Sequence, residues 1–588
     1  MTTFCSKCPL KNSGTGDPVG PEIHSNDQVI IIGDFPGIHE TVEGRPFVGP
    51  GGVELQRALD RLDLKRFSCH LTNALCCRPP KNDLEATNIR ISRKNKGKGE
   101  EERVLKPAEA CRGRLYRELK ATGIRKVICL GKEAARAIRQ RDVSVMKIRG
   151  GCEEIAAPWD PNITLQVGYT MHPAWVMRQP AYREVFFHDL RKALRFFDSN
   201  LDWPEPKITR TNKPEVVSHY LEKWRKEGKP VAYDLETDAI DPLTARVRCV
   251  GIGTEEESLI VEIESIRGTP LASPEQLEAL KEVLRAFFLK PGVPVLGHNA
   301  GQYDRLVMEQ WAGITPNLSC DTILLHLLAD NELPHNLGFV GSFYTDNPEA
   351  WKADHTAVEA KTDEELHIYC GKDVCVTARI ARPLAKDVKK REQMHLLARE
   401  HVLQHLGTTM QRNGIGVDKE RAGEHLLRLD IEAKKQLSLC KEIAGEKFNP
   451  QSTRQMAQLL FKDWGLSPHH YSEKTGDPST DDETLRTMIV HYGLSEEKIE
   501  FLRSVRSYRK VSKLLGTYVR PLIEKDIDRI HPSYNRLPAT GRYSSSNPNA
   551  QNIPYSLRDI YVAREGYVLV GADMDQLELR LIAEEAKA

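Results

Sequence analysis

The chain has 588 residues, 40% of them hydrophobic and 28% charged, a globular balance whose length predicts three or four domains at roughly 150 residues each. Lys+Arg 84 against Asp+Glu 83 leaves a net charge of +1, which excludes a globally basic nucleic-acid binder but not local basic patches. No apolar run approaches the ~18 residues of a membrane span, the polar start MTTFCSKCPLKNSG is no secretory signal, and 13 cysteines in so long a chain are no disulfide framework; a cytoplasmic protein without a membrane partner is expected.

In chain order, residues 1 to about 200 alternate short β-branched runs, VIII at 29–32 and KVICLG at 126–131, with amphipathic helical stretches, the pattern of an α/β domain. Eight of the cysteines (Cys5, Cys8, Cys69, Cys76, Cys77, Cys111, Cys129 and Cys152) fall in the first 152 residues, which points to a metal site. Cys5-x-x-Cys8 with Cys76, Cys77 and Cys111 offers thiolates that suit zinc or an iron–sulfur cluster equally. NIRISRKNKGKG (88–99) holds Arg90, Arg93, Lys94, Lys96 and Lys98 and no acid, and reads as a solvated or phosphate-contacting loop. The polar, proline-bearing stretch around 201–214 reads as a linker.

A second α/β zone, 215–392, opens with the strand KPVAYDLET (229–237). Asp234 and Glu236, two apart in that strand, leave the same face. GHNAGQYDRL then places Asn299 and Asp304 just after the strand VPVLG, and ELHIYCGKDVCVTARI puts Tyr369 and Asp373 at i and i+4 on one helix face. Four carboxylates and a tyrosine suit two divalent cations, Mg2+ or Mn2+, about 4 Å apart, one activating a water and the other stabilising a departing 3′ oxygen. From 393 to 588 the pattern is mainly long helices, with strand signals returning only at YVLVGADMD (567–575).

The order Asp-x-Glu, Asn-x3-Tyr-Asp, Tyr-x3-Asp resembles the proofreading 3′–5′ exonuclease domain of family A DNA polymerases and their DnaQ-like relatives, an RNase H-like fold. That resemblance makes Asp234, Glu236, Asp304 and Asp373 the metal ligands, Tyr369 the residue that orients the attacking water, Asn299 a substrate contact and Asp321 a supporting acid. Beyond it, MQRNGIGVD (410–418), FNPQSTRQMAQLLF (448–461), STDDETL (479–485), LRSVRSYRKVSKLLGTY (502–518) and ATGRYSSSNPNAQNIP (539–554) resemble the thumb and early palm of a family A polymerase. There Arg542, Gln551 and Asn552 would reach the primer–template minor groove, whose acceptors are equivalent for every base pair. In GADMDQLELR, Asp573 would bind magnesium and Glu578 would sit under the sugar. The fingers and the later palm acid of that family have no counterpart here, so polymerisation by this chain alone is not expected. A separate chain carrying them is an expected partner, beside DNA as primer–template and single-stranded 3′ end.

Residues 30–52 (IIIGDFPGIHETVEGRPFVGPGG), LTNALCCRPP (71–80), KVICLGKEA (126–134), IRGG (148–151) and YTMHPAWVMRQP (169–180) resemble family 4 and 5 uracil-DNA glycosylases. The resemblance implies a 4Fe–4S cluster on Cys5, Cys8, Cys77 and Cys111, with Cys76 a substitute. It implies also that a flipped base is stacked by Phe47, read by Asn73 and bonded by His172. Asp34 stands at the catalytic acid position, and Phe35 would fill the space of a hydrolytic water. Excision and binding without excision both stay open. The resulting expectation is an α/β multidomain protein: a glycosylase-like domain at 1–200, a linker at 201–214, an exonuclease domain at 215–392, and a polymerase thumb with the start of the palm at 393–588. A bacterial or phage replisome would suit such a fusion.

Overall fold

The computed structural model describes residues 8–11, 15–95, 104–354, 360–472 and 476–587. Two compact units emerge, Met1–Thr408 with Arg536–Arg542, and Thr409–Asn535 with Tyr543–Ala588. Their boundary falls inside the helix Leu397–Asn413 rather than at 392/393. The reason is local: Gln404 Nε2 donates to Asp321 Oδ2 at 2.8 Å and Thr408 Oγ1 to the Gly301 carbonyl at 3.0 Å, so the helix start is bound into the first unit.

The first unit holds two sheets. Strands β1 (Val29–Gly33), β2 (Cys69–Asn73), β3 (Lys126–Leu130), β4 (Cys152–Ala157) and β5 (Asp160–Thr170) lie in the order β2-β1-β3-β5-β4. All neighbours are parallel except β4 against β5. As expected of a parallel strand covered on both faces, β1 is buried throughout, Val29 and Ile31 facing one core and Ile30 and Ile32 the other. The expected basic loop is helical up to its middle, Leu84–Asn95. The Asn95 side chain pairs with both the amide and the carbonyl of Val104 and so closes the excursion, whose residues 96–99 lie outside the described ones.

The second sheet comprises β6 (Lys207–Thr211), β7 (Val231–Thr237), β8 (Val247–Gly253), β9 (Glu257–Glu262), β10 (Val295–Gly297) and β11 (Cys320–Asp321), in the order β11-β10-β7-β8-β9-β6. The expected linker is therefore in part a strand: β6 pairs parallel with β9, because Ile208 finds a place against Cys249, Ile260 and Cys370. Ahead of it the Arg379 guanidinium lies 4.0 Å from the Trp203 ring centre. Nor do the two sheets stand apart. One continuous core holds Ile31, Leu55, Phe186 and Leu190 of the first together with Leu325, Val340, Val376 and Ile380 of the second. Through that core runs a polar bridge. Arg149 Nε donates to Asp189 Oδ2 and its Nη1 to Ser342 Oγ, both at 2.8 Å, and Lys192 Nζ reaches the Ser342 carbonyl at 3.3 Å.

In the second unit the long helices Lys419–Ala444 and Glu496–Leu514 pack together beside a small sheet of Arg529–Ile530, Ile415–Val417 and Tyr561–Val562. The strand expected at 567–575 does not form. A strand needs a neighbour to take its amides and carbonyls, and no described strand pairs with these residues. Val568 and Val570 are accordingly 81% and 87% exposed.

Candidate functional site

Strand β7 lies between β10 and β8, and its pleat turns Asp234 and Glu236 to one side. There they meet Cys370 of the helix Asp363–Lys390, with one potential ligand atom from each of the three within 4.8 Å of the others. Asp304, in the first turn of the helix Tyr303–Ala312, accepts the Leu235 amide at 3.1 Å, which docks that helix between the two strand acids. Asp373 is buried; the Trp351 indole N–H donates to its Oδ1 at 2.7 Å, and the Lys352 ammonium donates to its Oδ2. Lys352 also donates to the Tyr369 hydroxyl at 2.7 Å and lies 4.4 Å from that ring's centre.

Burial and crowding raise Asp234, Glu236 and Asp304. Asp234 is pushed well above the usual carboxylate range by desolvation, then by Asp304 and Asp373. Glu236 is raised the same way, by desolvation and then by Asp234 and Asp373. Asp304 rises to about 7, burial outweighing its backbone hydrogen bonds. Like charges forced together out of water call for a compensating cation, so Asp234, Glu236, Asp304 and Asp373 fit as holders of divalent ions. Lys352, Trp351 and Cys370 went unmarked in the sequence. Residues 351 and 352 precede Asp373 by some twenty positions, and no periodicity links them to it.

Asp321, fully buried, serves the site from behind. Its Oδ1 accepts the amides of Asn299 (2.7 Å) and Ile323 (3.1 Å), and its Oδ2 accepts the Gly301 amide (3.1 Å) and Gln404. It thereby fixes the turn in which Asn299 adopts a left-handed φ of 65° and from which the Asp304 helix departs.

At the end of β1 a second group converges. A Cβ on Gly33 would lie 2.5 Å from Asn73 Oδ1 and 2.7 Å from Phe47 Cζ, so glycine alone lets these two side chains close over the strand. The Phe47 and His172 rings are 6.2 Å apart and 26° from parallel. His172 caps the helix Pro173–Arg178, its Nδ1 accepting the Ala174 amide at 3.2 Å. Burial brings its pKa down to about 4. A neutral ring that accepts at Nδ1 carries its proton on Nε2, a donor for a carbonyl oxygen. Asp34 is otherwise engaged. Its Oδ1 accepts the amides of Glu133 (2.7 Å) and Ala134 (3.1 Å) at the start of the helix Lys132–Arg139, and burial raises it to about 6. Phe35, expected to fill the water's place, packs against the core that holds Leu75, Cys77 and Cys111, whereas Phe47 belongs to the other core.

Among the described thiols, Cys76 Sγ lies 3.9 Å from both Cys77 Sγ and Cys111 Sγ, and Cys8 packs against the same cluster. Cys5 lies outside the described residues. The shared hydrogen bonds with Cys111 and Cys77 drop Cys76 to about 3, and the same contacts raise Cys77 and Cys111. Cys76 thus approaches both Cys77 and Cys111. A set of four buried or half-buried thiols fits a thiolate metal centre.

In the polymerase-like part, the Asn549 side chain accepts the amides of Gln551 (3.1 Å) and Asn552 (3.2 Å), and Gln551 Nε2 donates to the Tyr543 carbonyl at 3.0 Å. Gln551 and Asn552 are exposed, as is Arg542. Asp573 is exposed on coil, and Glu578 is exposed in the first turn of the helix Leu577–Glu585.

Comparison with known families names the three parts. Residues 21–195 match the uracil DNA glycosylase superfamily, 210–389 the 3′–5′ exonuclease family, and 421–588 DNA polymerase family A. The chain therefore joins a glycosylase-like domain and an exonuclease domain to part of a family A DNA polymerase domain. Among proteins, it is similar to DNA polymerase I of Synechocystis (28% identical over 64% of this chain and 39% of that one) and of Pseudomonas aeruginosa (30% over 62% and 42%). The thermostable DNA polymerase I of Thermus filiformis is 34% identical over 30% of this chain. The chain spans about two fifths of the length of the first two. A solved structure, the POL domain of Pol1 from M. smegmatis in complex with DNA primer-template and dNTP, shares the fold with TM-score 0.51, 20% identity and coverage of 64% of this chain and 63% of that one. No helix among the described residues is long and apolar enough to cross a membrane.

Proposed function

We propose that the chain is a DNA-replication enzyme part whose exonuclease domain removes nucleotides from single-stranded 3′ ends with two divalent cations, Mg2+ or Mn2+. The observation that carries this is the pair Asp234 and Glu236 on one side of β7, with Asp304 and Asp373 near enough that, beside desolvation, their charges raise that pair. When bound, the ions would activate water and stabilise the leaving 3′ oxygen. The protein's own contribution is placement: β7 presents two acids, the Leu235 amide holds Asp304, Trp351 and Lys352 hold Asp373, and the Tyr369 hydroxyl, fixed by Lys352, orients the attacking water. With Mg2+ and a labelled single strand, mononucleotide release is expected, and Asp234→Ala should abolish it; unchanged release by that variant would defeat the reading.

Phe47, Asn73 and His172 are read as a pocket for a flipped uracil, Phe47 stacking, Asn73 reading the amide edge and His172 donating from Nε2. Binding without excision is favoured by one observation, the commitment of Asp34 to a helix start. Alkali cleavage of a uracil-containing duplex after incubation separates excision from binding. For the thiols, a 4Fe–4S cluster on Cys8, Cys77 and Cys111 with Cys5 or Cys76 is the reading, and a brown protein containing iron is expected. Single-ion zinc is the other metal that thiolates of this kind suit; metal analysis decides. Asp573 by itself makes no two-cation polymerase site. Polymerisation on a primer–template held by Arg542, Gln551, Asn552 and Glu578 is read as needing further residues, in cis or on a separate chain, in a bacterial or phage-infected cytoplasm.

A further inference from the structure

Residues 346–352 run from one domain of the first unit to the heart of the other. At the start, Arg195 Nη1 donates to Asp346 Oδ1 at 2.8 Å, and the Asp202 amide donates to Asp346 Oδ2 at 3.0 Å. Next, the Cys152 amide, at the edge of the glycosylase-like sheet, donates to the Pro348 carbonyl at 2.7 Å. Gly151 presses on the following turn so closely that a Cβ there would lie 3.1 Å from Ala350 Cβ and 2.9 Å from the Ile148 carbonyl. Trp351 is 8% exposed; it belongs to the same core as Cys152 and, with Arg139, Cys152 and Tyr169 of the glycosylase-like domain, lines one small cavity. Its indole then donates to Asp373, and its neighbour Lys352 donates to Asp373 and Tyr369.

We propose that this segment is a strap through which the glycosylase-like domain positions Asp373 and Tyr369 of the nuclease site, Trp351 and Lys352 being its positioning residues. The proposal rests on the nuclease reading above. The tryptophan shares a core with Cys152 of the first sheet, while its N–H donates to a carboxylate that would hold a cation. Such a hydrogen bond behind a metal ligand fixes its orientation and basicity, and its loss commonly costs 10–100-fold in metal affinity or activity. The nuclease site is then complete only with the glycosylase-like domain packed beside it.

The test uses the full chain, with Mn2+ affinity measured by calorimetry without DNA alongside single-strand degradation. Trp351→Phe keeps an aromatic ring at this position while removing the N–H and part of the ring's volume; affinity and turnover should each fall about 10-fold. Gly151→Ala, which touches no nuclease residue, should shift both in the same direction by several-fold. Lys352→Met should split the two readouts, tightening Mn2+ by removal of a like charge while slowing turnover as Tyr369 loses its donor; a merely structural lysine would not. Folded Trp351→Phe and Gly151→Ala proteins with wild-type affinity and turnover would overturn the strap, as would a response to Trp351→Phe alone. Asp234→Ala is the separate control: nuclease surviving it condemns the nuclease reading, not the strap.

Discussion

Asp34 and His172 show how burial sets the charge of single groups. Both sit at helix starts, yet burial drives both toward neutrality, the acid up to about 6 and the imidazole down to about 4. For Asp34 the folded value lies above the unfolded 3.8, so the folded state binds more protons and the contribution to stability is full below pH 3.8 and lost as pH rises to 6. Asp34→Asn keeps an acceptor for Glu133 and Ala134 while removing the buried charge. Its melting temperature relative to wild type should therefore rise between pH 4 and pH 7, by the equivalent of roughly 2 kcal/mol, as thermal melts at the two pH values would show. The His172 contribution runs the other way, present above pH 6.5 and lost as pH falls to 4.

At the scale of elements, the turn between β10 and the Asp304 helix is held by one carboxylate. Asp321 satisfies three backbone amides and the Gln404 side chain, all in the interior. Removing it leaves several buried donors without a partner, at ~1–3 kcal/mol each. Asp321→Ala should lower stability by about 4 kcal/mol in denaturant melts and weaken nuclease action, whereas Asp321→Asn should retain part of both. The pleat of β7 and the i, i+4 placement of Tyr369 and Asp373 were legible in the sequence, since strand and helix periods fix which residues share a face. The strand at 567–575 was not: its β-branched run is real, but pairing depends on a neighbour that local pattern does not supply.

For the whole molecule, the joined cores of the glycosylase-like and exonuclease domains matter most. Arg149, 2% exposed, pairs with Asp189 and reaches across to Ser342, with its guanidinium 4.9 Å from the Phe339 ring centre. Removing one partner from a buried ion pair costs about 3–5 kcal/mol. Calorimetry of the full chain should show these two domains melting together, and Arg149→Met should lower that transition and separate it into two; a single, unshifted transition would contradict the shared core.

From the sequence alone came the α/β character of the first two parts and the faces shared by Asp234 with Glu236 and by Tyr369 with Asp373; family resemblance supplied the three-part order and the expected site residues. The shared faces are written in the local periods of strand and helix, the rest in motif resemblance. Tertiary structure alone decided that the expected linker contributes a strand, that Cys76 approaches both Cys77 and Cys111, that Asp34 accepts the amides of a helix start, and that Trp351 and Lys352 donate to Asp373. These depend on contacts between segments far apart in the chain, and such contacts are chosen by the packing of whole cores rather than by any residue's neighbours along the backbone.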